Sequence, residues 1–272
     1  MPDWLAVMLL GLIEGITEFL PVSSTGHLLL AQNWLPKKTD DFNVIIQMGA
    51  MMAVLLVFSG RIRDLYHKRH ESGERGQLKM LAIAFVFTCF GGLLLELRGW
   101  KLSHDIGPVA WATLVGGIVI LGVERRRAKQ TKDAPTHRVW AGVWPVALAA
   151  AAAQILAATV PGTSRSGAVI IVLLLCGAGR TAAVEFSFLL GLPTILAAGG
   201  YKLLKLLRAG TMTEPPEMLL LGTVVAAAAA FATARWLLKF VQGHDLRLFG
   251  WYRIALGGGL LAMMAWSGGG KG

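Results

Sequence analysis

Two short polar breaks interrupt this chain inside stretches that are otherwise apolar enough to sit in a membrane. The first is Pro21-Val22-Ser23-Ser24-Thr25-Gly26-His27, and the second is Pro161-Gly162-Thr163-Ser164-Arg165-Ser166-Gly167. Hydrocarbon offers no hydrogen-bond partners. Polar or irregular backbone at membrane depth therefore survives only where protein or a wet cavity surrounds it. Whatever chemistry the chain performs is expected at these two breaks.

Composition supports the membrane premise. Of 272 residues, 55% are hydrophobic and 15% charged, where a soluble domain carries about 25% charged residues. Mean hydropathy is +0.59. The expected fold class is an all-α integral membrane protein forming a single polytopic domain over 1–272. The net charge of +10 is clustered. Such clusters suit cytoplasmic loops and acidic headgroups, and nucleic acid is not an expected partner. The two cysteines, Cys89 and Cys176, lie in apolar runs without CxxC spacing and read as buried hydrophobes. Asp3 and Glu14, with no basic residues ahead of the first apolar run, argue against a secretory leader.

Crossing a hydrocarbon core takes about 20 residues. Six runs come near that length: 43–58, 80–98, 107–123, 182–206, 217–238 and 249–268. The regions 4–33 and 141–178 are instead broken by the polar segments, and each break is followed by a run too short to cross. Such runs suit re-entrant helical hairpins. The halves, approximately 1–123 and 141–268, repeat one another. Glu14 precedes Pro21 by the same interval at which Gln154 precedes Pro161. A longer helix with a polar opening follows each break, marked by Gln47 in the first half and Glu185 in the second. An odd number of crossings per half inverts the second half, and paired broken segments in inverted repeats point to a midplane site. Basic stretches at 59–79 and 124–140 are expected as cytoplasmic loops, whereas the loop around 99–106 carries only Lys101. That puts both termini outside, the first break entering from the outer side and the second from the inner side.

Glu14 and Glu18 share one helix face. Two carboxylates in an apolar segment call for a divalent cation, a role as buried base, or an arginine partner. Ser24 and His27, three apart, suit a hydroxyl nucleophile beside an imidazole, although His27 could itself attack phosphorus. Ser23, Ser24 and Thr25 also suit capping of a half-helix, whose exposed N–H groups bind phosphate. Arg165 is expensive in a bilayer, and its fork matches phosphate oxygens. Thr163, Ser164 and Ser166 could complete an anion cradle. His67, His70, His104, His137 and His244 show no ligand spacing and read as solvated loop residues. A secondary transporter or lipid flippase, with the glutamates and His27 as an ion relay, is the main rival to an enzyme. A non-catalytic ligand- or lipid-binding protein is a second.

At these residues the chain resembles the undecaprenyl-diphosphate phosphatases, the bacitracin-resistance family. The likeness spans almost the whole chain. It rests on Glu14-Gly15-Ile16-Thr17-Glu18-Phe19-Leu20 leading into the first break, on the second break, on Glu185-Phe186-Ser187-Phe188, and on Phe249-Gly250-Trp251-Tyr252-Arg253-Ile254. The resemblance implies a plasma (inner) membrane hydrolase of undecaprenyl diphosphate that recycles the lipid carrier for peptidoglycan and confers bacitracin resistance. It also implies a divalent cation, Mg²⁺ or Ca²⁺, two re-entrant hairpins and a site open to the outer, periplasmic side. Its functional residues fall on Glu14, Glu18, Ser24, Thr25, His27, Ser164 and Arg165. The expected assignments are Glu18, Ser24, His27 and Arg165 as catalytic, Ser23, Thr25, Thr163, Ser164 and Ser166 as substrate-binding, and Glu14 with Glu18 as cation ligands. A polyprenyl diphosphate and membrane lipids are the expected partners, with a homodimer left open.

Overall fold

The computed structural model describes residues 1–100, 105–129, 142–210 and 214–268, and among these all regular elements are helices. Six are long and apolar enough to cross a membrane: α3 (Asp40–Val57), α5 (Ser72–Leu97), α6 (Ile106–Lys129), α9 (Arg180–Ala209), α10 (Pro216–Gly243) and α11 (Arg247–Gly268). The chain is a multi-pass membrane protein. The remaining helices are α1 (Asp3–Thr17), α2 (Ser24–Ala31), α4 (Ser59–His67), α7 (Val143–Thr159) and α8 (Arg165–Leu175). The pairs α1–α2 and α7–α8 flank the two breaks.

Where they are described, the expected basic loops are largely helical. The stretch 59–79 holds α4 and the first turns of α5, and α6 runs on through Arg125, Arg126 and Arg127 to Lys129. Lysine and arginine are good helix formers, and their stems reach water from a helix that overruns the apolar core. Lys101, His104, Lys132, His137 and Arg138 lie outside the described residues.

Ion pairs define two ends of the bundle. At one, Lys38 joins Asp3 and Glu214, Lys202 joins Asp41, and Lys205 joins Glu96. At the other, Arg61 bridges Glu74 and approaches Glu185, while Arg180 grips the fully buried Glu124. Glu124 also accepts from the Leu246 backbone N–H, and Arg127 donates to the Leu174 carbonyl. Arg125, Arg126, Arg127 and Lys129, at the end of α6, sit at this second end.

Small residues let the helices close on one another. A Cβ added at Gly15 would lie 2.4 Å from the Ala226 carbonyl oxygen of α10, and one at Gly11 would lie 2.7 Å from that of Gly222. Helices in lipid gain little from apolar burial and rely on such close backbone approach. The same device joins α6 to α11, where Gly117 faces Gly250. The contrast is α5, whose Val86, Phe87, Phe90, Leu94 and Leu97 are exposed.

Candidate active site

The two breaks meet in the interior. Ser166 Oγ lies 3.2 Å from the Glu18 carbonyl oxygen and 3.3 Å from that of Leu20, and Ser164 Oγ lies 3.1 Å from Ser166 Oγ. Each break becomes a helix start with a serine cap. Ser164 Oγ accepts from Gly167 N at 3.1 Å, and Ser23 Oγ accepts from Gly26 N at 3.3 Å. Helix N-termini leave N–H groups unpaired and carry partial positive charge, so α2 and α8 bring that charge to the same region. Ser23 holds φ +76°, the one non-glycine residue with positive φ among the described residues. Such a conformation costs of order 1–3 kcal/mol.

Glu18 is the hub. Its Oε1 accepts from Arg165 Nη2 at 2.8 Å. Its Oε2 accepts from Ser24 Oγ at 2.5 Å and from Gln47 Nε2 at 3.1 Å. All this happens at 5% exposure, where charge-assisted hydrogen bonds are strongest. Arg165 is only partly satisfied by this pair. Its Nε and Nη1 are buried and meet no hydrogen-bond partner among the described residues, and the same holds for Oε1 of Glu14. A buried unpaired donor costs about 1–3 kcal/mol, more when charged. Each of these donors shares an edge of the guanidinium with Nη2, so an anion that drew Nη2 from Glu18 would meet a fork matching two oxygens of a phosphate.

Beside the cluster lies a cavity of about 820 Å³ between α3, α5, α7 and α9. Arg165 and Gln47 line its inner part, and Asp41, Glu96, Lys202 and Lys205 line it near the first end. Its wall is mostly apolar, with one polar chain. Gln154 donates to Thr88 Oγ1 at 3.0 Å and accepts from Thr194 Oγ1 at 3.2 Å.

The expected site residues are therefore brought together unevenly. Glu14, Glu18, Ser24, Ser164, Arg165 and Ser166 converge. Thr25 and Thr163 are half-buried in the two turns without joining the hydrogen-bonded cluster among the described residues. The expected Ser24–His27 pairing is not formed. Ser24 turns to the carboxylate of Glu18 instead. His27 Nδ1 contacts the Ser23 carbonyl oxygen at 2.7 Å and therefore carries the proton there, which leaves Nε2 to accept from Tyr252 at 2.6 Å. Glu185 sits at the basic end with Arg61 rather than at the site.

Gln47, Gly191 and Tyr252 are contributors to which sequence reasoning gave no role. Gln47 did carry a signal, an amide inside an apolar helix. Gly191 carried none. It leaves the space that the Arg165 guanidinium fills, since an added Cβ would lie 2.7 Å from Arg165 Cζ.

The model of the family described as bacitracin resistance protein BacA matches residues 7–259. Among similar proteins is an undecaprenyl-diphosphatase of Rhizobium etli, 43% identical over 97% of this chain and 98% of its own length. An undecaprenyl-diphosphatase of Rhizobium johnstonii is 42% identical with the same coverage. One from Xanthomonas oryzae pv. oryzae is 39% identical over 96% of this chain and 97% of its own length. With both breaks, the helices that carry them and the site they build inside the matched region, the chain belongs to the bacitracin resistance protein BacA family.

Proposed function

We propose that this chain hydrolyses undecaprenyl diphosphate to undecaprenyl phosphate and inorganic phosphate. That activity would return the lipid carrier to wall synthesis and confer bacitracin resistance. The observation that carries the reading is the Arg165 guanidinium, two of whose donors are buried and unpaired beside a cavity backed by the Glu18–Ser24 hydrogen bond.

Phosphoryl transfer asks mainly for positioning and charge stabilisation. The terminal phosphate competes for Arg165 and draws the guanidinium from Glu18. The freed carboxylate takes the Ser24 proton as Oγ attacks phosphorus, and undecaprenyl phosphate leaves. Water then attacks the phosphoserine, the Oγ–P bond breaks, Glu18 returns its proton to Ser24 Oγ, and inorganic phosphate leaves. His27, bonded to Ser23 and Tyr252, holds the turn that presents Ser24. The N-termini of α2 and α8 face the same charge.

The residues present fit a hard divalent cation such as Mg²⁺ or Ca²⁺. Glu14 Oε1 is an unpaired buried carboxylate oxygen, and Glu18 has lone-pair capacity left beyond its three hydrogen bonds. Bound there, the ion would neutralise charge on the phosphate oxygens. Both α1–α2 and α7–α8 are read as re-entrant pairs of an inverted repeat. The cavity reaches the end opposite Arg125, Arg126, Arg127 and Lys129, which supports a site open outward from an inner membrane.

Purified protein in lipid nanodiscs with undecaprenyl diphosphate and Mg²⁺ or Ca²⁺ tests the reading. Phosphate release that Ser24→Ala abolishes is expected. Movement of the lipid between vesicle leaflets without phosphate release would replace hydrolysis by transport. Gly191→Ala supplies a further check, because its methyl would displace the guanidinium. A 10- to 100-fold drop in kcat/KM, of the order seen for small misplacements, is expected. The control Gly200→Ala, where an added Cβ meets nothing within 4 Å, should leave kcat/KM unchanged.

A further inference from the structure

Arg253 is as deeply buried as the catalytic cluster, at 2% exposure, and the mechanism above does not use it. Among the described residues it forms no ion pair with a carboxylate, and every hydrogen bond it makes goes to a backbone carbonyl. Nε donates to Thr113 at 3.2 Å, and Nη1 donates to Pro21 at 3.1 Å. Nη2 donates to Ala112 at 2.9 Å and to Gly162 at 3.2 Å. Pro21 belongs to the first break and Gly162 to the second. One guanidinium thus grips both turns and anchors them to α6.

The surroundings are shaped for it. A Cβ at Gly116 would fall 2.7 Å from Arg253 Cζ. Gly162 has φ +88°, a left-handed conformation that glycine adopts without strain and that accompanies its carbonyl's contact with the arginine. The charge also has a use. α1 and α7 end at the breaks, so their carbonyl ends and negative dipole poles converge there. A cation on those poles balances them, while the N-terminal poles of α2 and α8 remain for the anion. Lysine carries the charge but not the planar fork that can reach four acceptors at once.

We propose that Arg253 is a positioning residue that sets the spacing of the two turns, and through it the placement of Ser24 and Glu18 against Arg165. The neighbouring Tyr252 extends the same control to His27, with rings stacked 5.7 Å apart. The activity arm of the test rests on the hydrolase reading, and the second arm does not.

The experiment compares Arg253→Lys and Arg253→Met with the unaltered protein in nanodiscs, by phosphate-release kinetics and by amide hydrogen exchange. A fall in kcat of about a hundredfold with KM held within about threefold is expected. Exchange should quicken by about tenfold or more in peptides covering 18–27 and 160–168, while α10 exchanges as before. The proposal is overturned if kcat stays within about threefold of the unaltered value, if only one turn loosens, or if exchange rises throughout the bundle. If the unaltered protein released no phosphate, the hydrolase reading would fall while the exchange arm still decided the role of Arg253.

Discussion

Replacing Arg165 by lysine lowers kcat/KM for phosphate release by about a thousandfold, the scale on which a single arginine acts in phosphoryl transfer. The charge survives this change, so a purely Coulombic role would predict a small effect. What disappears is the fork. In the present arrangement Nη2 is held by Glu18, while Nε and Nη1 are buried and unpaired among the described residues. A lysine ammonium could keep the Glu18 contact yet offer neither of the two-donor edges, Nε with Nη2 or Nη1 with Nη2, that fit a pair of phosphate oxygens. Steady-state kinetics in nanodiscs, with thermal unfolding of the same preparation, would measure it. A loss below tenfold in folded protein would mean that the unpaired donors do not meet the substrate.

Glu18→Gln is the second large effect, a drop in kcat of about 10²- to 10⁴-fold, the range for a removed general base. The amide keeps the size of the carboxylate and changes its chemistry. It cannot take the Ser24 proton, and its nitrogen would face one of the three donors that Glu18 now accepts. KM should change far less than kcat, since Arg165 is released from its carboxylate and remains available to the diphosphate. If the variant loses affinity while keeping kcat, Glu18 serves binding and the proton goes elsewhere. Glu18→Asp, which keeps the charge and shortens the reach, should retain more activity than Glu18→Gln.

The two breaks and Arg165 were legible because their expense in hydrocarbon is a property of composition alone. Nothing but a buried site makes two prolines, six hydroxyls and a guanidinium tolerable amid apolar runs. The six long helices were legible for the converse reason, although their ends were not. Basic side chains neither stop a helix nor mark where the bilayer does, so α6 continues to Lys129. The Ser24–His27 pairing failed on a competition that spacing cannot show. A carboxylate six residues upstream reaches back across the turn and makes the stronger, charge-assisted bond. Gly191 and Arg253 were hidden more deeply. A glycine's role is fixed by what occupies the space beside it, and an arginine one turn from Phe249 reads equally well as an anchor at the membrane surface.

The wall formed by α5 bears on how such a long isoprenoid is handled. Cys89, Gly92 and Leu93 face the cavity, while Phe87, Phe90 and Leu94 on the same helix face outward. Under the proposed function a headgroup would be drawn in sideways past this apolar partition, its tail staying in the oil. With the tail held in lipid rather than in the protein, polyprenyl diphosphates with fewer isoprene units should be turned over with similar kcat. A steep dependence on unit number would indicate a dedicated channel for the tail.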